Sequence, residues 1–140
     1  MQQEICDRFF YYQVFAFYAH YRCRYQTSLK LNLKSYRYAL IINDPLLKTL
    51  VLDLLAHNHV FIGSIYRGIH YFDEAQALAK ILKNQSWFSA IEVSKLNYNS
   101  RFSMDPELDL KKIKSAFTKV KGIDNYSEGA LLLSKTHLHS

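Results

Sequence analysis

The chain has little of what marks the familiar functional classes. Its two cysteines, Cys6 and Cys23, are too few for a disulfide-stapled secreted scaffold, and no Cys-x-x-Cys pair exists to found a zinc module. The four glycines, Gly63, Gly68, Gly122 and Gly129, are too scattered for a phosphate-cradling loop, and no Gly-x-Ser-x-Gly elbow is present. Two prolines leave few linkers. Acids are outnumbered by bases, 12 to 18, which gives a net charge of +6 and favours an acidic partner, nucleic acid or an anionic membrane surface. Long apolar runs are missing too. The longest, Phe9 to Tyr21, spans 13 residues and contains Gln13 and His20, whereas a bilayer span needs about 20. The start, with Glu4, Asp7 and Arg8, lacks the basic region of a signal peptide and the acid-poor, Arg- and Ser-rich character of a transit peptide.

Aromatic residues are abundant instead: eleven Tyr, nine Phe and one Trp. With Ile, Asn and Lys these are the residues of A/T-rich codons, the mark of an A/T-biased genome such as an organelle's. An apolar fraction of 49% excludes an intrinsically disordered chain.

The pattern along the chain predicts an α/β protein of two small lobes. A helix is expected from about Gln3 to Tyr25. Cys6 and Cys23 would then lie roughly 25 Å apart on it, too far for a disulfide. Leu29, Leu31 and Leu33 alternate with Lys30, Asn32 and Lys34, the two-residue period of an extended segment. Tyr36 to Asn43 reads as a strand, ended by Asp44-Pro45, an N-cap followed by proline at the first helical position. The helix Pro45 to Asn58 turns Leu47, Leu50, Val51, Leu54 and Leu55 inward, with Asn58 as a left-handed cap. Val60 to Tyr66 and Trp87 to Tyr98 read as further strands. Asp73 to Lys83 has helical propensity or is an irregular insertion. Asp105-Pro106 opens a helix to Lys119 that buries Leu108, Ile113, Phe117 and Val120, and Gly129 to Leu133 is a short final strand. The expected division is an N-terminal α-β-α-β-β lobe over residues 1–70, a variable insertion over 71–85, and a strand-rich C-terminal lobe with one helix over 86–140.

Little of this carries catalytic chemistry. His57-Asn58-His59 spells a nuclease motif without the metal hairpin and further ligands such enzymes need. His137 and His139 are two ligands, which do not make a metal site. No nucleophile–base pair is identifiable, and nothing in the chain argues for an enzyme, a metal site or a small-molecule substrate. What remains is basic. Arg22, Arg24, Lys30, Lys34 and Arg37 fall in a stretch without an acid, and Lys111, Lys112, Lys114, Lys119 and Lys121 form a second cluster. The second is followed by a tail of phosphate and 2′-OH donors, Ser134, Lys135, Thr136 and His137. A solvated helix face explains lysines about as often.

Two stretches resemble the bacterial-type ribosomal protein family numbered eight in the small subunit. One runs from Tyr38 through Asp44-Pro45-Leu46-Leu47-Lys48 and Leu54-Leu55 to Asn58-His59-Val60-Phe61-Ile62. The other comprises Asp109-Leu110-Lys111-Lys112-Ile113 and Gly129-Ala130-Leu131-Leu132-Leu133-Ser134-Lys135-Thr136-His137. In the family's Ser-Thr-Ser-x-Gly motif the outer hydroxyls correspond to Ser134 and Thr136, with Lys135 at the middle position and no glycine. The resemblance covers about Tyr36 to His137. It implies a two-lobe α/β protein that binds the central domain of small-subunit rRNA and supports its folding, beside neighbouring ribosomal proteins, with no catalytic activity, no cofactor and no membrane span. With the codon-biased composition it points to a mitochondrial ribosome. RNA contact is then expected at Ser134, Lys135, Thr136, His137, Lys111, Lys112 and Lys114, and secondarily at Arg22, Arg24, Lys30 and Lys34. The competing reading is a non-catalytic subunit of an organellar membrane complex.

Overall fold

The computed structural model describes residues 2–100 and 106–118, and it is helical. Six helices follow one another among these residues: α1 (Gln2–Tyr21), α2 (Tyr25–Ile42), α3 (Pro45–Ile62), α4 (Ile65–Ile81), α5 (Gln85–Ser100) and α6 (Pro106–Phe117). No strand occurs among the described residues. The α/β expectation is therefore corrected. Tyr36 to Asn43 is the end of α2, Val60 to Tyr66 is the α3–α4 turn with its flanks, and Trp87 to Tyr98 lies inside α5. The strand expected at Gly129 to Leu133 lies outside the described residues.

Helix breaks come at a fixed interval. Cys23, Asn43, Gly63 and Lys83 all have positive φ, at 60°, 57°, 107° and 55°, so a left-handed residue recurs every twenty positions. Each ends a helix. The Arg24, Ser64 and Asn84 amides reach back to the carbonyls of Ala19, His59 and Ala79, while the Asn43 amide reaches Ala39; these are Schellman and αL closures. The next helices start at once: the Asp44 carboxylate accepts from the Leu46 amide at 2.8 Å, and Asn84 Oδ1 accepts from the Trp87 amide at 3.0 Å. Asp44-Pro45 thus opens α3 as its sequence indicates, but the helix runs on through Asn58 to Ile62, and Gly63, not Asn58, is its left-handed cap.

The chain divides into two compact units, Met1–Leu78 and Ala79–Ser140. In the first, α1 and α2 form a tight antiparallel pair and α2 packs on α3. The facing stripes are Phe9, Gln13, Ala16 and Ala19 on α1, and Ser28, Asn32, Ser35 and Ala39 on α2. Small side chains let the two backbones approach. Helix α3 is the most enclosed: Val51, Leu52, Leu54, Leu55 and Ala56 are all buried, each large aliphatic contributing about 1.5–3 kcal/mol. Leu47 and Leu50 are only half-buried. Helix α4 closes on α3 at Gly68, where a Cβ would stand 2.6 Å from Val60 Cγ2 and 2.9 Å from the Ala56 carbonyl oxygen. In the second unit, α6 docks on α5 by burying Ile113 and Ala116 with Val93, and Leu96 packs against them.

A seam of hydrogen-bonded polar side chains runs through the first unit. The Ser28 hydroxyl donates to the Ala16 carbonyl at 2.7 Å. Asn58 Nδ2 donates to Ser28 Oγ at 2.9 Å, and its Oδ1 accepts from Asn32 Nδ2 at 3.3 Å. Asn32 Nδ2 also donates to the Val51 carbonyl at 3.3 Å. Farther along, the Ser35 hydroxyl donates to Gln13 Oε1 at 2.8 Å. Asn32 Oδ1 and Gln13 Nε2 are buried without a partner.

Candidate nucleic-acid interface

Helix α2 contains no acidic residue. Its buried stripe fixes what the opposite side shows. Lys30, Lys34 and Arg37, spaced i, i+4, i+7, lie there on one exposed face. At the edge where this face meets α1, Lys34 Nζ stands 5.5 Å from the centre of the Tyr12 ring. Tyr12 stacks on Tyr38 with centroids 6.0 Å apart and planes 8° from parallel. Arg8 Nη1 donates to the Tyr38 hydroxyl at 3.5 Å, and Arg8 Nη2 pairs with Glu4 at 2.9 Å. Two i, i+4 pairs on neighbouring helices, Arg8/Tyr12 and Lys34/Tyr38, therefore interleave two cations with two rings.

Of the residues singled out in the sequence, Lys30 and Lys34 belong to this edge. Arg22 and Arg24 are exposed in the α1–α2 turn. Lys111, Lys112 and Lys114 are exposed on α6, in the other unit. Ser134, Lys135, Thr136 and His137, like Lys119 and Lys121, lie outside the described residues. Sequence reasoning missed Arg8, Tyr12 and Tyr38 and left Arg37 off the interface. The signal was available only to a helical reading, because a strand sends Lys34 and Tyr38 to one face without bringing Tyr12 to meet them.

The His57-Asn58-His59 triplet is buried. His57 packs edge-on to Phe72 and lies 3.4 Å from Asp53. His59 stacks on Tyr71 with centroids 5.2 Å apart. Burial, and secondarily the nearby His57, lowers the His20 pKa to about 4; burial, with Arg67 adding to it, also lowers that of His59. His20, His57 and His59 each pack against an aromatic ring, Phe61, Phe72 and Tyr71 respectively. Among the described residues no group of three or more His, Cys, Asp or Glu is placed to hold a metal ion, and no helix is long and apolar enough to cross a membrane. Cys6 and Cys23 are free thiols. A cleft in the second unit, about 280 Å³ in volume, is lined by Ala79, Lys80, Lys83, Asn84, Gln85 and Phe88. It gathers two lysines, with no Ser, Cys, His, Asp or Glu in its lining.

Searches against family models, curated proteins and solved structures return no match to this chain.

Proposed function

We propose that the chain is a non-catalytic RNA-binding protein that holds a single strand along the α1–α2 edge. The observation that carries this is the acid-free face of α2, where Lys30, Lys34 and Arg37 stand beside the stacked Tyr12–Tyr38 pair. Unstructured strands are held by cations that follow the phosphates and by aromatic surfaces that take bases of any identity. The lysines of α6 supply a second basic surface in the other unit.

The resemblance to the ribosomal family was tied to an α/β fold, and the helices remove that support. Small-subunit rRNA of a mitochondrial ribosome, which the family resemblance alone names, is the first RNA to try, while the net charge of +6 favours an acidic partner whatever the fold. The test is binding of the full chain to a labelled 12-nucleotide RNA across a salt series. Lys30→Ala, Lys34→Ala and Arg37→Ala should each flatten the salt dependence by about 0.7. Tyr12→Ala should weaken binding by about 1–3 kcal/mol at an unchanged slope. Binding unmoved by all four substitutions would refute the edge as the interface. Equal affinity for rRNA fragments and for unrelated strands would leave RNA binding in place and refute the ribosomal assignment.

A further inference from the structure

The outward face of α1 is bare. Phe10, Tyr11, Val14, Phe15, Tyr18 and Tyr21 are each between 46% and 79% exposed. They lie directly opposite the buried stripe of Phe9, Gln13, Ala16 and Ala19. No charged residue interrupts the stretch from Phe10 to Tyr21. The twenty-residue spacing of the turns says what belongs there. Shifted by two turns, forty positions, Tyr11, Val14, Phe15 and Tyr18 correspond to Val51, Leu54, Leu55 and Asn58 of α3, all of which are buried. In α3 this face is covered by α2, to which Val51 and Asn58 are hydrogen-bonded through Asn32. Within the first unit no described residue covers the equivalent face of α1.

We infer that this face docks a second copy of the chain, α1 against α1, antiparallel about a two-fold axis between Val14 and Phe15. Two arguments select that occupant. The first is area. At roughly 200 Å² per fully exposed aromatic ring, the face offers about 650 Å² of largely apolar surface, beyond the few hundred Å² common on a monomer. Two copies would bury about 1,300 Å², within the range of stable specific interfaces. The second is charge. The apolar stretch is preceded by Asp7, exposed on the same face, and followed by the exposed Arg22. Antiparallel pairing about that axis sets Asp7 opposite the partner's Arg22 and Tyr11 opposite the partner's Tyr18. Each contact occurs twice by symmetry. A parallel pair would instead set acid beside acid and base beside base.

The test is sedimentation equilibrium of the full chain from about 1 to 100 µM, with far-ultraviolet circular dichroism on every sample. The wild type should distribute between monomer and dimer masses. Tyr11→Ser with Tyr18→Ser, both at exposed positions, should weaken the dimer at least about 100-fold at unchanged helicity, whereas Tyr66→Ser on α4 should leave it intact. Asp7→Arg should weaken it about 2- to 5-fold for each of its two pairs, and Asp7→Arg with Arg22→Asp should restore it. A wild type that is monomeric throughout, a dimer indifferent to Tyr11 and Tyr18, or a monomer that partitions onto phosphatidylglycerol vesicles through this face would each overturn the inference.

Discussion

Replacing Asn32 and Asn58 with leucine, singly and together, tests whether the polar seam is a coupled unit. Leucine repeats the branching of asparagine at Cγ at nearly the same length, so shape is roughly kept while hydrogen bonding is lost. Both side chains are fully buried. Asn32→Leu strands Asn58 Oδ1 without its 3.3 Å donor, and a buried orphan costs about 1–3 kcal/mol. Asn58→Leu removes the donors to Ser28 Oγ and toward His20 Nδ1 and leaves Asn32 Oδ1 as unpartnered as before. That single change should cost about 2–3 kcal/mol. In the double variant both orphans disappear together, so its cost should fall short of the summed singles by at least about 1 kcal/mol. Urea unfolding followed by far-ultraviolet circular dichroism measures all three. Fluorescence of Trp87, the sole tryptophan and a residue of the second unit, serves as the internal comparison. Strict additivity, or a neutral Asn58→Leu, would refute the idea that these amides depend on one another.

Other outcomes follow from single sites. His20, with its pKa lowered to about 4, binds its proton more readily unfolded than folded; the stability it contributes is complete above about pH 6.5 and is lost as pH falls toward 4, so His20→Phe should flatten the decline of melting temperature between pH 6.5 and 4. Gly68→Ala should cost about 1–3 kcal/mol in urea unfolding, since its Cβ meets the Ala56 carbonyl at 2.9 Å and the backbone cannot step aside. Leu54→Ala should cost about 2–5 kcal/mol in the same assay as a cavity in the most enclosed helix. Lys83→Gly should stabilise by up to about 1 kcal/mol, because Lys83 holds φ at 55°.

The sequence announces α3 clearly. Asp44-Pro45 is an unambiguous start, and its leucines follow a helical period. It conceals α2, because the stripe that faces α1 and α3 is Ser28, Asn32, Ser35 and Ala39. Those positions have helical spacing but little hydrophobicity, while the conspicuous leucines at 29, 31 and 33 include one, Leu33, that is exposed. A search for apolar periodicity therefore finds the alternation and misses the seam. Helix α5 hides in the same way, with Ser89, Ser94 and Asn97 buried beside Ile91 and Val93. The turns are concealed too. Only Gly63 is a residue whose type signals positive φ strongly; Cys23 and Lys83 adopt it because the helices on either side leave no other closure. The basic edge was half legible: Lys30 and Lys34 are evident as charges, but their aromatic neighbours come from a different helix.

The even spacing of the left-handed residues bears on which changes of chain length the protein tolerates. With two or three residues between consecutive helices up to α5, there is no slack to absorb an extra one. A single residue inserted in α2 after Asn32 would rotate everything beyond it by about 100°, swinging Ser35 and Ala39 off the face they share with α1. A substitution that keeps the buried stripes should therefore disturb the fold less than any single-residue insertion within a helix. An insertion that keeps this register is a whole helical hairpin of about forty residues, and the reading frame of this fold is a ruler of twenty residues.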